Sequence, residues 1–187
     1  MSTDLIALGI KDKRLSNGQT MAIREAELGD VSVIIDYLAS AQADNGDPLF
    51  CAGSDARSLE QARMGLENAV RDDGALMLLG LVEDKIIAFA LIRALPGDLT
   101  NHNSTISLAV SKSYWNKGIG GAMMRGMIMF ARLHPDIKTI HLGVRADNAG
   151  LITLYQIYGF HQVGVHKNYY GEDGSYCDRI LMDLQVN

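Results

Sequence analysis

Leu108-Ala109-Val110 is followed by a short loop, Ser111–Trp115, and then by Asn116-Lys117-Gly118-Ile119-Gly120-Gly121-Ala122. The apolar alternation of Ser104–Val110 reads as a strand. The Met-, Ala- and Leu-rich run Gly118–Leu133 reads as a helix, stopped by Pro135. A strand therefore enters a glycine-rich turn that opens a helix. Glycine has no Cβ, so a ligand can approach the main chain closely. The first turn of a helix carries N–H groups without intrahelical partners and a partial positive charge. Together these suit an anion, and a pyrophosphate in particular. Lys117 adds a full charge. The same glycines could instead serve only close helix–strand packing, and taken alone they leave both readings open. Two common phosphate loops are excluded. A P-loop places Lys and a hydroxyl after its glycines, whereas Lys117 precedes Gly118 and Ala122 has no hydroxyl. A dinucleotide fingerprint requires a third glycine where Met123 stands.

A second constellation follows. Thr139–Val144 alternates as a strand, and Ala149–Tyr158 reads as a short helix carrying Leu151, Leu154 and Tyr155, followed by Gly159-Phe160. Asn148 could cap that helix or bind a ligand. Tyr155 could be a packed aromatic or a proton donor.

The two segments, in this order and spacing, resemble the GNAT family of N-acetyltransferases. Its acetyl-CoA motif, Q/R-x-x-G-x-G/A, follows a strand ending in Val, and its second motif is Asn, then Leu-Tyr, then Gly-Phe. The resemblance runs from about Ala22 to Leu184 and implies a mixed α/β fold. Its centre would be a mixed, mostly antiparallel, splayed β-sheet flanked by helices. It further implies that Leu108, Ala109 and Val110 offer main-chain groups to a pantetheine arm. The Val110 N–H would polarise a thioester carbonyl. Main-chain N–H groups of Asn116, Lys117, Gly118, Ile119, Gly120, Gly121 and Ala122 would hold the pyrophosphate. Asn148 would bond the pantetheine, and Tyr155 would protonate the leaving thiolate. A thiol near 8.5 and a phenol near 10 make that transfer plausible.

The chain departs from the pattern in places. Trp115 occupies the Q/R position, and Leu151 replaces a frequent small residue. Some relatives carry a carboxylate base at the position matching Gly143, so that base is absent here. His102 is a candidate base of suitable resting pKa, or else a solvated loop histidine. His141 and Arg145 alternate with Ile140, Leu142 and Val144 and belong to the surface or a substrate rim. In this fold the acceptor pocket draws on the first two helices and the C-terminal hairpin. Those regions supply Asp44, Asp47, Phe50, Asp55, Lys167, Tyr169, Tyr170, Tyr176 and Asp178. The expected acceptor is a small-molecule primary amine attacking directly, so Cys51 is not needed as a nucleophile. The alternatives are acetylation of a protein amine, or a non-catalytic acyl-CoA-binding regulatory module.

The elements that must position these residues are readable too. Met21–Glu25 alternates as a first strand. Asp30 stands as N-cap of a helix bearing Val31, Ile34, Ile35 and Leu38, broken at Asn45-Gly46-Asp47-Pro48. Ser58, with Gln61 three residues on, caps a second helix with Leu59, Ala62, Leu66 and Val70 on one stripe. Ala75–Val82 and Ile86–Ile92 form a hairpin buried on both faces, and Phe160–Val165 and Tyr176–Leu184 are the last strands. Residues 1–20 are poorly patterned and read as a loose lead-in, with the acetyltransferase domain over residues 21–187. The 187 residues suffice for one domain. A content of 48% hydrophobic residues argues against disorder, and 17 Lys+Arg against 22 Asp+Glu argues against nucleic acid. Two cysteines make no disulfide framework. Without an export signal or a membrane-length apolar run, a cytoplasmic protein that binds no membrane is expected. Acetyl-CoA is the expected co-substrate, with no metal, and a homodimer is possible.

Overall fold

A computed structural model of the chain describes residues 5, 8–45, 56–172 and 174–186. Its residues fall into two units, Met1–Arg93 with Ser107–Phe130, and Ala94–Ile106 with Ala131–Asn187.

In the first unit, β1 (Lys13–Arg14), β2 (Thr20–Glu25), β3 (Ala75–Val82) and β4 (Lys85–Ala94) pair antiparallel in that order. The β3–β4 link is two residues, Glu83 and Asp84, at φ 49° and 60°. Positive φ at both centres is the twist a two-residue hairpin needs. Both faces of β3 are buried, as its unbroken apolar run requires. Ala75, Met77 and Leu79 pack into a core with Val31, Ile34 and Leu38 of α1 (Val31–Asn45) and Leu66 and Ala69 of α2 (Ala56–Arg71). On the opposite face Leu78 lies against Gly126 of α3 (Ile119–Leu133). Burying each of the larger of these side chains, such as Met77, Leu79, Ile34 and Leu66, stabilises by about 1.5–3 kcal/mol.

Three local expectations are corrected. Asp30 is not the N-cap of α1: a 3-10 turn, Leu28–Asp30, precedes the helix. The Asp30 carboxylate instead accepts the Glu27 N–H at 2.8 Å. α2 begins at Ala56, so Ser58 lies within its first turn. The described residues before β2 include packed side chains rather than a wholly loose lead-in. Leu8, Ile10 and Leu15 are buried, and Ile10 fills the space above Gly126 that a Cβ would need.

In the second unit the first residues of β5 (Asn103–Val110) pair parallel with β6 (Thr139–Arg145). That pairing covers Asn103–Thr105 against Thr139–His141. β6 pairs antiparallel with β8 (Ser175–Gln185), and β8 with β7 (His161–Glu172). Ile140, Leu142 and Val144 are buried, while His141, Gly143 and Arg145 occupy the other face of β6. α4 (Ala149–Ile157) ends at Gly159, whose φ of 91° lets the chain turn back into β7. The class is the mixed α/β one expected, with eight strands among the described residues, mostly antiparallel, flanked by helices. No helix among the described residues is long and apolar enough to cross a membrane.

Candidate active site

One candidate segment lies where β5 ends, in the first unit. The Ile87 carbonyl accepts the Ser111 N–H at 2.9 Å and the Tyr37 hydroxyl at 3.0 Å, fixing the point at which the chain leaves the sheet. Lys112–Tyr114 then makes one 3-10 turn. Trp115 folds back, and its indole Nε1–H donates to the Val110 carbonyl at 2.7 Å. Asn116 and Gly118 take positive φ of 59° and 71°. The Asn116 side chain is short and polar enough to tolerate that region, and Gly118 has no Cβ to clash. The first helical bond of α3 in this turn runs from Ala122 N–H to Gly118 O at 3.2 Å. The N–H groups of Ile119 and Gly120 thus precede the helical ladder, as an anion cradle requires.

Two lysines stand near this turn, and they do different things. The Lys117 ammonium is committed to the Ser113 carbonyl at 3.0 Å and to the Tyr114 ring, 4.8 Å from its centroid. It therefore braces the 3-10 turn rather than capping the helix. The charge beside the glycine is that of Lys13, from β1. Its Nζ lies 3.3 Å from where a Cβ on Gly118 would stand. Lys13 was not singled out from the sequence, because nothing in Lys11-Asp12-Lys13-Arg14 signals a strand.

Another candidate segment lies around α4, in the second unit. Asn148 is its N-cap: the side-chain Oδ1 accepts the Leu151 N–H at 3.1 Å. That leaves the other end of the same amide as a donor in the first turn. Tyr155 is buried, at 5% exposure, with its ring centroid 5.7 Å from Phe160. Its carbonyl accepts the N–H groups of Tyr158 and Phe160, both at 3.0 Å, so the helix end also holds the Tyr155 backbone.

On the polar face of β6, His141 sits between Asp183 (2.7 Å) and Asn103 (2.9 Å). Arg145 grips Asp147 through two hydrogen bonds of 2.8 and 3.0 Å. The hydrogen bonds from Arg145 hold the Asp147 carboxyl below the usual carboxylate range. A side chain at Gly143 would fall on Arg179, which covers it from β8. Arg179 was also not singled out from the sequence. The Gly143–Leu181 and Arg145–Arg179 register is what brings it there.

His102 is exposed and precedes the first residue of β5, at the opposite end of that strand from Val110. Its Nε2 faces Asn103 Nδ2 at 3.1 Å. Of the expected acceptor residues, Lys167 pairs with Asp178 at 2.7 Å, and Tyr169 and Tyr170 pack edge to face at 5.0 Å. Tyr176 is exposed. The hydrogen bond from Lys167 draws the Asp178 carboxyl below its ordinary range. Asp47, Phe50, Cys51 and Asp55, and the side chain of Asp44, lie outside the described residues. Among the described residues no three His, Cys, Asp or Glu side chains gather as a metal site.

Residues 42–160 match the sequence profile of the Acetyltransferase (GNAT) family. The [ribosomal protein bS18]-alanine N-acetyltransferase of Escherichia coli strain K12 is 31% identical over 103 residues, 55% of this chain and 66% of that protein. The alignment thus spans just under two thirds of that relative's length. An N-alpha-acetyltransferase of Sulfurisphaera tokodaii is 30% identical over 159 residues, 83% of this chain and 90% of that protein. Among solved structures, a putative acetyltransferase from Salmonella typhimurium, solved with its cofactor acetyl-CoA, superposes with a TM-score of 0.71. It is 20% identical, over 89% of this chain and 94% of that one, a likeness of fold. The chain belongs to the Acetyltransferase (GNAT) family, an acyltransferase family that takes acetyl-CoA as co-substrate and needs no metal.

Proposed function

We propose that this chain transfers the acetyl group of acetyl-CoA to the primary amine of a small molecule by direct attack. The observation that carries the reading is the turn between β5 and α3. Asn116 and Gly118 at positive φ, and Lys13 over Gly118, make a cradle in which main-chain N–H groups and one ammonium meet. That donor set suits a diphosphate. The fit is chemical as well as steric, since a Cβ at Gly118 would crowd the Lys13 ammonium.

Acetyl-CoA supplies an acyl group activated as a thioester. The amine nitrogen bonds to the acyl carbon, the C–S bond breaks, and the amine gives up one proton to solvent. Each remaining role belongs to this chain. Leu108, Ala109 and Val110 present strand main chain to the pantetheine arm, and the Val110 N–H faces the acyl oxygen. The indole of Trp115, bound to the Val110 carbonyl, orients the next peptide without using that N–H. Asn148 caps α4 with its oxygen and donates its amide N–H to the pantetheine. Tyr155, held in place by its buried ring and by the helix end, gives its phenolic proton to the thiolate and takes one back from solvent, which balances the proton lost by the amine. Holding amine and thioester together supplies much of the acceleration.

A second reading has support in the names of two relatives, which act on a ribosomal-protein alanine and on α-amino groups. A panel of small amines and short peptides, with acetyl-CoA and thiol-release detection, separates the two. We expect turnover of small amines above that of peptides. Tyr155→Phe should lower kcat on the best amine by about 10²-fold, the usual scale for one positioned acid. Equal rates for this variant and the wild type would remove Tyr155 from the mechanism.

A further inference from the structure

Among the described residues no carboxylate answers the charge of Arg179. Its Nε is buried and has no hydrogen-bond partner. Its Nη1 donates to the Tyr169 hydroxyl at 2.9 Å, and the guanidinium lies over the Tyr169 ring, 4.8 Å from the centroid. Among residues whose side chains are described, no carboxylate pairs with it. Its cross-strand neighbour makes the contrast plain. Arg145 stands directly opposite Arg179 in the β6–β8 register, yet Asp147 neutralises it through two hydrogen bonds. Like charges directly opposite on adjacent strands destabilise a sheet. An unpartnered buried donor on a cation costs more again. A fold that keeps both costs calls for a compensating partner.

The geometry around Arg179 is built rather than incidental. Gly143 is the residue beneath it, and any side chain there would displace the guanidinium. Tyr169 is fixed in turn by stacking on His166, 5.6 Å between centroids, and by its edge contact with Tyr170. Tyr170 also receives the Arg145 guanidinium over its ring, at 5.3 Å. Two arginines and two tyrosines thus share one patch, and among the described residues a carboxylate answers only one of the two charges. A planar guanidinium set against an aromatic face is suited to a carboxylate, which it meets with two parallel donors.

We infer that Arg179 binds a carboxylate of the acceptor, so that the preferred substrate is an amine bearing a carboxylate. The inference rests on the acetyltransferase reading above. It places the anion subsite on the face of β6 that carries Gly143, beside the C-terminal hairpin.

The test pairs free amino acids with their C-terminal amides, with acetyl-CoA held saturating. In the wild type kcat/KM should favour the acid by about thirtyfold, the scale of one charged hydrogen bond lost. Arg179→Met should bring that ratio to about one. Arg179→Lys should leave it between the two, since an ammonium lacks the fork. Gly143→Ala keeps the arginine but displaces it, and should lower the ratio as Arg179→Met does. Circular-dichroism melts of all three variants report whether each is folded. A wild-type ratio at or below one, or a ratio unchanged in folded Arg179→Met, overturns the inference while leaving the acetyltransferase reading intact. If no amine is turned over, that reading fails, and binding decides the inference. The Arg179 Nε–H resonance should then move on titration with the amino acid and stay still with its amide. A resonance unmoved by both overturns it.

Discussion

The indole N–H of Trp115 donates to the carbonyl of Val110 at 2.7 Å, closing the loop between β5 and α3 on its own starting strand. A side chain at a position where the family has Gln or Arg thus does a structural task, tying the strand end to the cradle. Trp115→Phe keeps a ring and removes the donor. We expect it to weaken acetyl-CoA binding by about fivefold, roughly the worth of one neutral hydrogen bond, as read by titration calorimetry. Trp115 is the only tryptophan and is 44% exposed. Its emission should therefore shift as acetyl-CoA is added to the wild type. An unshifted emission with saturating cofactor would place the pyrophosphate elsewhere.

Lys13, on the two-residue strand β1, brings its ammonium to Gly118. Lys13→Ala should raise the Kd for acetyl-CoA by about three- to tenfold, the range for one charge at a partly solvated anion site. The loss should be smaller in high salt, because screening removes the same contribution. Lys13→Arg should restore most of the affinity. Equal Kd values for wild type and Lys13→Ala at low salt would remove Lys13 from the site.

Arg24 and Asp30 join β2 to the turn before α1 through two hydrogen bonds of 2.7 Å. The bond from Arg24, helped by the Glu27 N–H, lowers the Asp30 pKa below its ordinary value near 3.9. A depressed carboxylate stabilises the fold above its unfolded pKa, and that contribution is lost as pH falls through the folded value. Arg24 is 43% exposed, so solvent screening keeps the effect to about 0.5–1 kcal/mol. Asp30→Asn should therefore lower the urea midpoint at pH 7 and converge with the wild type as the pH falls through the depressed folded pKa of Asp30. A difference constant across that window would trace the loss to packing instead.

Much of the architecture could be read from periodicity because each element buries one clear face. Met77 and Leu79 on β3, Ile34 and Leu38 on α1, and Ile140, Leu142 and Val144 on β6 all follow their expected spacing into the core. β2 follows its alternation, but its partner β1 is illegible for the opposite reason. Lys13 and Arg14 carry no apolar alternation, and β1 exists only because β2 offers it an edge. Ile10 is buried by a gap over Gly126 that no local pattern announces. The glycine turn and the Asn148–Tyr155 segment were each visible because their chemistry lies in contiguous residues. Lys13 and Arg179 were not, since each reaches its neighbour through tertiary register. In the sequence Gly143 reads as a missing carboxylate, but the arginine that fills its space lies 36 positions later in the chain.

Asn148 has a cap to make and, on the proposed reading, a ligand to hold, and the two can be separated. Its Oδ1 accepts the Leu151 N–H at 3.1 Å, while the pantetheine would take the amide N–H at the other end of the group. Aspartate caps a helix about as well as asparagine and suits its positive end, so Asn148→Asp should melt within a degree or two of the wild type. It has no amide donor, and its charge opposes an amide carbonyl, so its Kd for acetyl-CoA should rise by about tenfold or more. Asn148→Ala loses both partners. It should fall by about 1 kcal/mol in stability and also bind weakly. If Asn148→Asp bound acetyl-CoA as tightly as the wild type, Asn148 would be a cap alone, and the pantetheine would have to be held by strand main chain.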